Sequence, residues 1–525
     1  MGAPFIEVGS RIHCDSAYGQ VSYVGPIDGM EGIWLGIEWD DPNRGKHSGC
    51  YNNKTYFNTR IPDSGSFIRI TKADVGISCP DAIKIKYGKE KDSSEVPNFV
   101  NFPQKSGASR HIEMVGMEKI KGKQSNFVRL TDVVLYGMLI SSPGELNELS
   151  EMVPNVKDLD LSQNLLSTWN DVAEITKQLP FLSSLILSRN RLQIPEEGDK
   201  YQELFKTLKM LVLNNMSYSW KEILCCATMW PHIEMLSVLD NGISSLEQPP
   251  SPLFSNLKVL SLDNNPICTW KEINKLGTLT NLEELHADNT SLESIEFPET
   301  SPVEKTLLFP SLETLYIRNN KLNCWKSIGE LNKLKSLKVL MISNNPIVQS
   351  VNLETARQLI IAKIQGLEKL NRTEVERAER RGAETDYLKR YRNEWVASGG
   401  SMTSQPSEVF IAEHPTYLPL VQKHGAADEN EVKVQSTLIK DNLICVKIFS
   451  PLTPEKPALT RKLPAEMTVG KLKALVQRIF KVQSNEVTLT CIFKEDDTTR
   501  TEMDNNMRQL SFYSISDQDT ICVEW

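Results

Sequence analysis

The sequence predicts a multidomain chain: a small β-barrel at the N-terminus, a long α/β solenoid in the middle and an α+β domain at the C-terminus. Three observations predict it. A leucine phrase recurs with a near-constant period from residue 156 to residue 347. The first 90 residues are Gly-rich, aromatic and β-branched, with short strand-like stretches. The last 85 or so change again, to a strand, strand, helix, strand, strand order. The 525 residues leave room for about three to four domains of ordinary size.

In the N-terminal segment, residues 1–90, the stretches 20–24 and 33–39 alternate apolar and polar residues between glycines, as strands of a twisted barrel do. Residues 91–125 lack periodicity and read as a linker with an N-terminal cap. The solenoid is expected over 126–372. Its phrase, L-x-x-L-x-L-x-x-N-x-L, is well formed from Leu182, Leu257, Leu312 and Leu337 and weaker from Val156, Leu208, Ile233 and Leu282, with starts 24 to 30 residues apart. Leu130-Val133-Leu135 and Ile364-Leu367-Leu370 extend it at either end.

This is a leucine-rich repeat. In each coil the L-x-L core is a short strand with inward leucines, and the Asn side chain bonds backbone groups of the following turn and of the next coil. Met216 and Thr290 replace that Asn, so their coils are expected to be less well satisfied. Trp169, Trp220, Trp270 and Trp325 recur after the turn and read as core filling on the convex side rather than as a ligand row. Residues 373–397 form a helix with six acidic and six basic residues, a solvated spacer or cap. Ser398-Gly399-Gly400-Ser401 opens an expected flexible linker, 398–436.

The final domain, 437–525, has strands at 443–448, 458–463, 488–493 and 520–524. Thr468 caps a helix with Val469, Leu472, Leu475, Val476, Ile479 and Phe480 on one face. That order is similar to ubiquitin and its β-grasp relatives. With Trp525 in place of a diglycine tail, conjugation is not expected and a docking role is.

Composition narrows the function. A net charge of -8 leaves no whole-chain positive field, which argues against nucleic acid and anionic membrane as partners. No secretory signal and no long apolar run is present, and the ten cysteines form no C-x-x-C pair, so a soluble, cytoplasmic chain with reduced thiols is expected. Neither metal-spaced histidines nor a Gly-x-Ser-x-Gly or kinase-like set occurs, so no enzyme, metal or cofactor is expected.

The most specific motif runs from Gly32 to Arg69: GIWLGIEW, then GKHSG at 45–49, then Tyr56-Phe57, then GSFIR at 65–69. It resembles the CAP-Gly family, whose barrel carries a groove for acidic C-terminal tails ending in Glu-Glu-Tyr or Glu-Glu-Phe, as on α-tubulin. The resemblance implies a groove of Trp34, Gly45, Lys46, His47, Gly49, Phe67 and Arg69. Gly45 and Gly49 would supply close approach and positive φ, Lys46 would meet a carboxylate, His47 would donate a hydrogen bond, and Trp34 with Phe67 would hold the terminal ring. Between Gly32 and Lys72 six basic residues face four acidic ones. His47 and Ser48 replace the family's usual Asn-Asp, introducing a histidine expected to titrate near neutrality, and Asn53 occupies a position usually Gly.

A CAP-Gly domain, a leucine-rich array and a ubiquitin-like domain, in that order, resemble the tubulin-folding cofactor E family. The resemblance implies a non-enzymatic cytoplasmic and cytoskeletal chaperone that captures α-tubulin, by tail and body, and works with other tubulin-folding cofactors in assembling and dissociating the α/β heterodimer. On the array's concave face, Asp158, Asp160, Asp240, Asp263, Glu284 and Asp288 outnumber Arg189 and Arg318, with Tyr316 and Met341 among apolar neighbours. Asp240, Asp263, Glu284, Asp288, Tyr316 and Met341 are its candidate contacts. The alternative is a ubiquitin-pathway adaptor reaching the proteasome or a ligase through the last domain.

Overall fold

The computed structural model describes residues 6–88, 127–298, 301–427 and 443–525, the last segment without 456, 465, 483–486, 494, 495, 514 and 516. It divides into a unit of residues 1–427 and a unit of residues 428–525.

The first unit opens with an antiparallel sheet of β1 (Arg11–Cys14), β2 (Ala17–Ile27), β3 (Met30–Trp39) and β6 (Gly65–Arg69), in the order β1-β2-β3-β6. Its core is Ile12, Cys14, Val21, Leu35, Ile37 and Trp39. A small hairpin, β4 (Cys50–Tyr51) and β5 (Lys54–Thr55), turns through Asn52 and Asn53 at φ 47° and 60°. Two successive left-handed residues make the tight turn that suits a twisted hairpin, and Asn53 adopts that geometry in place of Gly.

The solenoid follows as an eleven-stranded sheet, parallel except for its last strand. Register lines up the middle leucine of each coil: Leu159, Leu185, Leu211, Leu236, Leu260, Leu285, Leu315 and Leu340 lie side by side and buried. One residue before the ladder Asn, each coil turns through positive φ, at Gln163, Arg189, Asn215, Asp240, Asn264, Asn289, Asn319 and Asn344.

The Asn ladder runs toward the preceding coil, not the next one. Asn265 Nδ2 donates to Val238 O at 2.9 Å and Leu262 O at 2.8 Å, while its Oδ1 accepts from Asn241 N and Ile243 N of the coil before. Asn190, Asn320 and Asn345 repeat the pattern. The two expected gaps are bridged only in part. Near Met216 the Tyr218 hydroxyl donates to Leu192 O at 2.7 Å, and Thr290 Oγ1 donates to Ala287 O at 3.0 Å, but among the described residues neither Met216 nor Thr290 accepts from the coil before as the ladder Asn does. Trp169, Trp220 and Trp270 each begin a convex-side helix and are buried against Phe205, Phe254 and Phe297 respectively. Trp325 is half-buried.

Helices close both ends of the array. The cap expected within 91–125 lies wholly outside the described residues; a helix ahead of them, Cys79–Tyr87, has Ser78 as N-cap and Cys79, Ala82 and Ile83 in the solenoid core. The Tyr87 hydroxyl accepts from Val134 N and Lys86 Nζ donates to Val134 O, which closes the first edge strand.

At the other end, Arg377–Ala397 is the charged helix, and it buries Ala383, Tyr387, Leu388 and Trp395. Residues 398–427 of the expected flexible linker are folded, while 428–436 lie outside the described residues. Gly400 lies against the Trp395 indole, and helices Glu408–Glu413 and Tyr417–His424 add Phe410, Tyr417, Leu420 and Val421 to a second core. Buried Glu384 binds Lys423 Nζ at 2.6 Å and His424 Nε2 at 2.5 Å.

The second unit is a five-stranded mixed sheet with strands Leu443–Phe449 and Thr520–Glu524 parallel at its centre. Helix Val469–Phe480 covers one face, with Thr468 Oγ1 accepting from Lys471 N. A fifth strand, Asp496–Glu502, joins the four expected. Its sequence, DDTTRTE, has no apolar alternation to signal a strand.

Candidate functional site

The candidate tail groove is built on one face of the first sheet. Tyr23, Gly36 and Phe67 are cross-strand partners in one row, and Gly25, Trp34 and Arg69 form the next. Gly36 leaves a hollow in the first row: a Cβ there would meet the Phe57 ring at 2.4 Å. Phe57 fills the hollow, and Phe67 becomes the centre of a ring cluster, with centroids at 4.9 Å from His47, 5.4 Å from Phe57 and 5.6 Å from Tyr56. Tyr23 stands at 5.3 Å from Tyr56.

Trp34 lies in the row next to Phe67; the Arg69 guanidinium is 4.1 Å over its ring, and Arg69 Nη1 donates to Glu31 O. Tyr23, Tyr56 and Phe57 are the residues that sequence reasoning did not assign to the groove. Their signal was the cross-strand row through Gly36, which needs the register to be known.

The loop 45–49 is pinned to β6. Lys46 N and His47 N both donate to Gly65 O, and Gly65 N donates to His47 O at 2.8 Å. Lys46 is thereby presented at the surface, exposed beside the ring cluster. Gly45 has φ −65°, so its need for glycine is not the positive φ expected. A Cβ there would lie 2.0 Å from Asp63 O. Gly49 does have φ +93°. Ser48 exchanges hydrogen bonds with Asp63: Ser48 Oγ accepts from Asp63 N at 2.9 Å and stands 3.2 Å from its Oδ1.

His47 Nδ1 accepts from Gly49 N at 3.0 Å, so in the neutral ring Nε2 carries the proton and is the donor. Burial lowers its pKa from the ordinary histidine value, and the Asp63 charge opposes this only in part. The expected titration near neutrality therefore moves to lower pH. The unfolded chain takes up this proton more readily than the folded one, so His47 leaves stability intact above about pH 6.5 and erodes it as pH falls below that. His47→Asn, whose side-chain oxygen can accept from Gly49 N, is expected to flatten the fall in melting temperature between pH 7 and pH 5.5, measured by circular dichroism.

The concave face presents two rows: Met210, Met235, Val259, Glu284, Thr314 and Val339, and beside it Val212, Ser237, Ser261, His286, Tyr316 and Met341. Its acidic candidates separate. Asp240 is exposed. Asp263 is half-buried, and burial raises its pKa while Oδ1 accepts from Asp288 N at 2.7 Å. Asp288 is only 6% exposed and pairs with Arg318 at 2.5 Å, so it is a structural group rather than a free contact. Met341, 7% exposed, is likewise mostly withdrawn from the surface. Glu284 Oε1 stands 2.6 Å from His286 Nε2, and the His286 ring stacks on Tyr316 at 4.0 Å and 7°. His286 and Tyr316 are register partners on neighbouring strands, which is what brings the two rings together.

The fold and groove define a class: a CAP-Gly barrel joined to a leucine-rich solenoid, in a chain that ends in a ubiquitin-like domain. The family models agree, a CAP-Gly domain matching residues 8–73 and a ubiquitin-like domain residues 443–524. The chain belongs to the tubulin-specific chaperone E family. It is 39% identical over 523 residues to tubulin-specific chaperone E of Danio rerio, covering 99% of each chain, and 38% identical over 520 residues to that of Xenopus laevis, covering 98% of each. A solution structure of the C-terminal ubiquitin-like domain of mouse tubulin-specific chaperone E is similar at 33% identity and TM-score 0.15, covering 16% of this chain and 87% of that one.

Proposed function

We propose that the chain is a non-enzymatic cytoplasmic chaperone of tubulin that binds α-tubulin at two places. The groove takes the acidic C-terminal tail, and the concave face engages the body. Together with other tubulin-folding cofactors it assembles and dissociates the α/β heterodimer. The observation that carries the tail contact is exposed Lys46, held by Gly65 at the rim of the ring cluster around Phe67. A terminal aromatic ring packs on that cluster while its carboxylate meets the ammonium.

Lys46→Ala is expected to weaken binding of a Glu-Glu-Tyr-terminated peptide by about tenfold to a hundredfold, the worth of a charge-assisted hydrogen bond of ~1.5–3 kcal/mol. Calorimetry giving an unchanged affinity would sink the groove assignment. Exposed Asp240, free of the His286 and Arg318 network, is the cleaner probe of the concave face: Asp240→Lys is expected to weaken capture of the heterodimer and leave peptide binding alone, read in the same titrations.

The ubiquitin-pathway reading is not favoured. Relatives that match over the whole chain are tubulin-specific chaperones, which favours the tubulin reading.

A further inference from the structure

The groove domain does not hang from the solenoid by a tether. The chain leaving it pairs at once with the first coil, Ile77 with Ile140 and Ser78 with Ser142. Gly9, at φ +98°, lies against Gln193; a Cβ there would stand 2.6 Å from Nε2. The Tyr18 hydroxyl reaches the first coil at Gly137, where an added Cβ would stand 4.0 Å from it.

At the centre is a charged triad. Arg11, whose side chain is fully buried, gives Asp40 a two-pronged contact, Nη1 to Oδ1 at 2.7 Å and Nη2 to Oδ2 at 2.5 Å. That much belongs to the groove domain itself. Arg191, from the turn of a solenoid coil, reaches the same carboxylate with Nε 3.1 Å from Oδ1, its side chain 19% exposed. Asp40 follows Trp39, the last residue of β3, which is the strand that carries Trp34 and Gly36.

Position in the repeat adds direction. Arg189, two residues before Arg191, sits at the left-handed turn position that Asp240 and Asn264 occupy in later coils. The groove domain therefore rests on the same row of turns along which exposed Asp240 lies.

We propose that Arg191 is a positioning residue: by gripping Asp40 it fixes the groove domain on the turn row of the solenoid, so that tail and body of one partner are engaged together. The proposal rests on the two-contact reading above. Two contacts at a fixed spacing reinforce each other through effective concentration, and a loosened spacing forfeits that gain without touching either contact.

The full chain with Arg191→Glu, Arg191→Gln or Arg191→Lys tests this by titration with a Glu-Glu-Tyr-terminated peptide and with purified α/β-tubulin. Arg191→Glu, which sets two carboxylates face to face, is expected to bind peptide within about twofold of the parent and heterodimer about tenfold more weakly. Arg191→Gln falls between, and Arg191→Lys recovers most of the loss. Parent-like affinity of both Arg191→Glu and Arg191→Gln for heterodimer overturns the proposal. Equal loss of peptide binding also overturns it, since Arg191 would then support the groove itself. The underlying reading fails in a different place: a Lys46→Ala chain with undiminished heterodimer affinity removes the tail from capture, whatever Arg191 does.

Discussion

Alanine at Gly49 is expected to abolish tail-peptide binding and to unfold the groove domain while the solenoid remains folded. Gly49 sits at φ +93°, where a Cβ costs an L-residue about 1–2 kcal/mol before any contact is considered. The contact is worse. The new carbon would lie 1.9 Å from Phe57 O and 2.6 Å from its carbonyl carbon, and a backbone carbonyl cannot swing aside as a side-chain tip does. Phe57 is also the ring that fills the hollow above Gly36, so any retreat disturbs the cluster around Phe67. A domain of this size is stable by about 5 kcal/mol, which strain of several kcal/mol would largely remove. Calorimetric titration with the peptide reads the first effect, and loss of near-ultraviolet dichroism from Trp34 and Trp39 the second. Intact binding by Gly49→Ala would contradict the loop geometry.

Removing one rung of the Asn ladder is expected to cost the solenoid about 3–5 kcal/mol. Asn265 is fully buried and makes four main-chain hydrogen bonds of 2.8 to 3.1 Å. Asn265→Ala strands the N–H groups of Asn241 and Ile243 and takes one partner from the carbonyls of Val238 and Leu262. Each buried group left unpaired costs about 1–3 kcal/mol. Urea unfolding followed by far-ultraviolet dichroism should show a midpoint well below the parent's. The exposed Asn264, one residue earlier, provides the control: Asn264→Gly keeps the positive φ of 59° and should shift the midpoint little.

How far the sequence foretold this structure depended on whether the signal was local. Strand leucines were legible because a 25-residue period repeats the same burial in every coil. Thr468 as a cap was legible because a hydroxyl before an apolar helical face has one common use. Tyr23, Tyr56 and Phe57 were not, since their meeting depends on β2, β3 and β6 finding a shared row through Gly36. Gly45 was assigned the wrong reason: φ is invisible in sequence, and the true constraint is the Asp63-Ser64 backbone passing beneath it. The segment from Ser398 was read from its Ser and Gly opening, which concealed that Phe410, Tyr417, Leu420 and Val421 would close over the helix before it. On the concave face total charge was countable, but which carboxylates spend that charge internally was not.

The direction of the Asn ladder bears on how the molecule is made. Where the ladder is unbroken, a coil has its turn completed by an asparagine belonging to the coil after it: Ile140 N waits for Asn164, Asn241 N for Asn265, Thr290 N for Asn320, and Ile342 N for Asn371. A chain emerging N-terminus first from the ribosome therefore trails one unfinished coil behind the exit, and the solenoid cannot be completed until the segment around Asn371 has been synthesised. A translation arrest inside the array would leave open backbone at its growing end, whereas the start, already shut by Tyr87 and Lys86, would be safe from the outset.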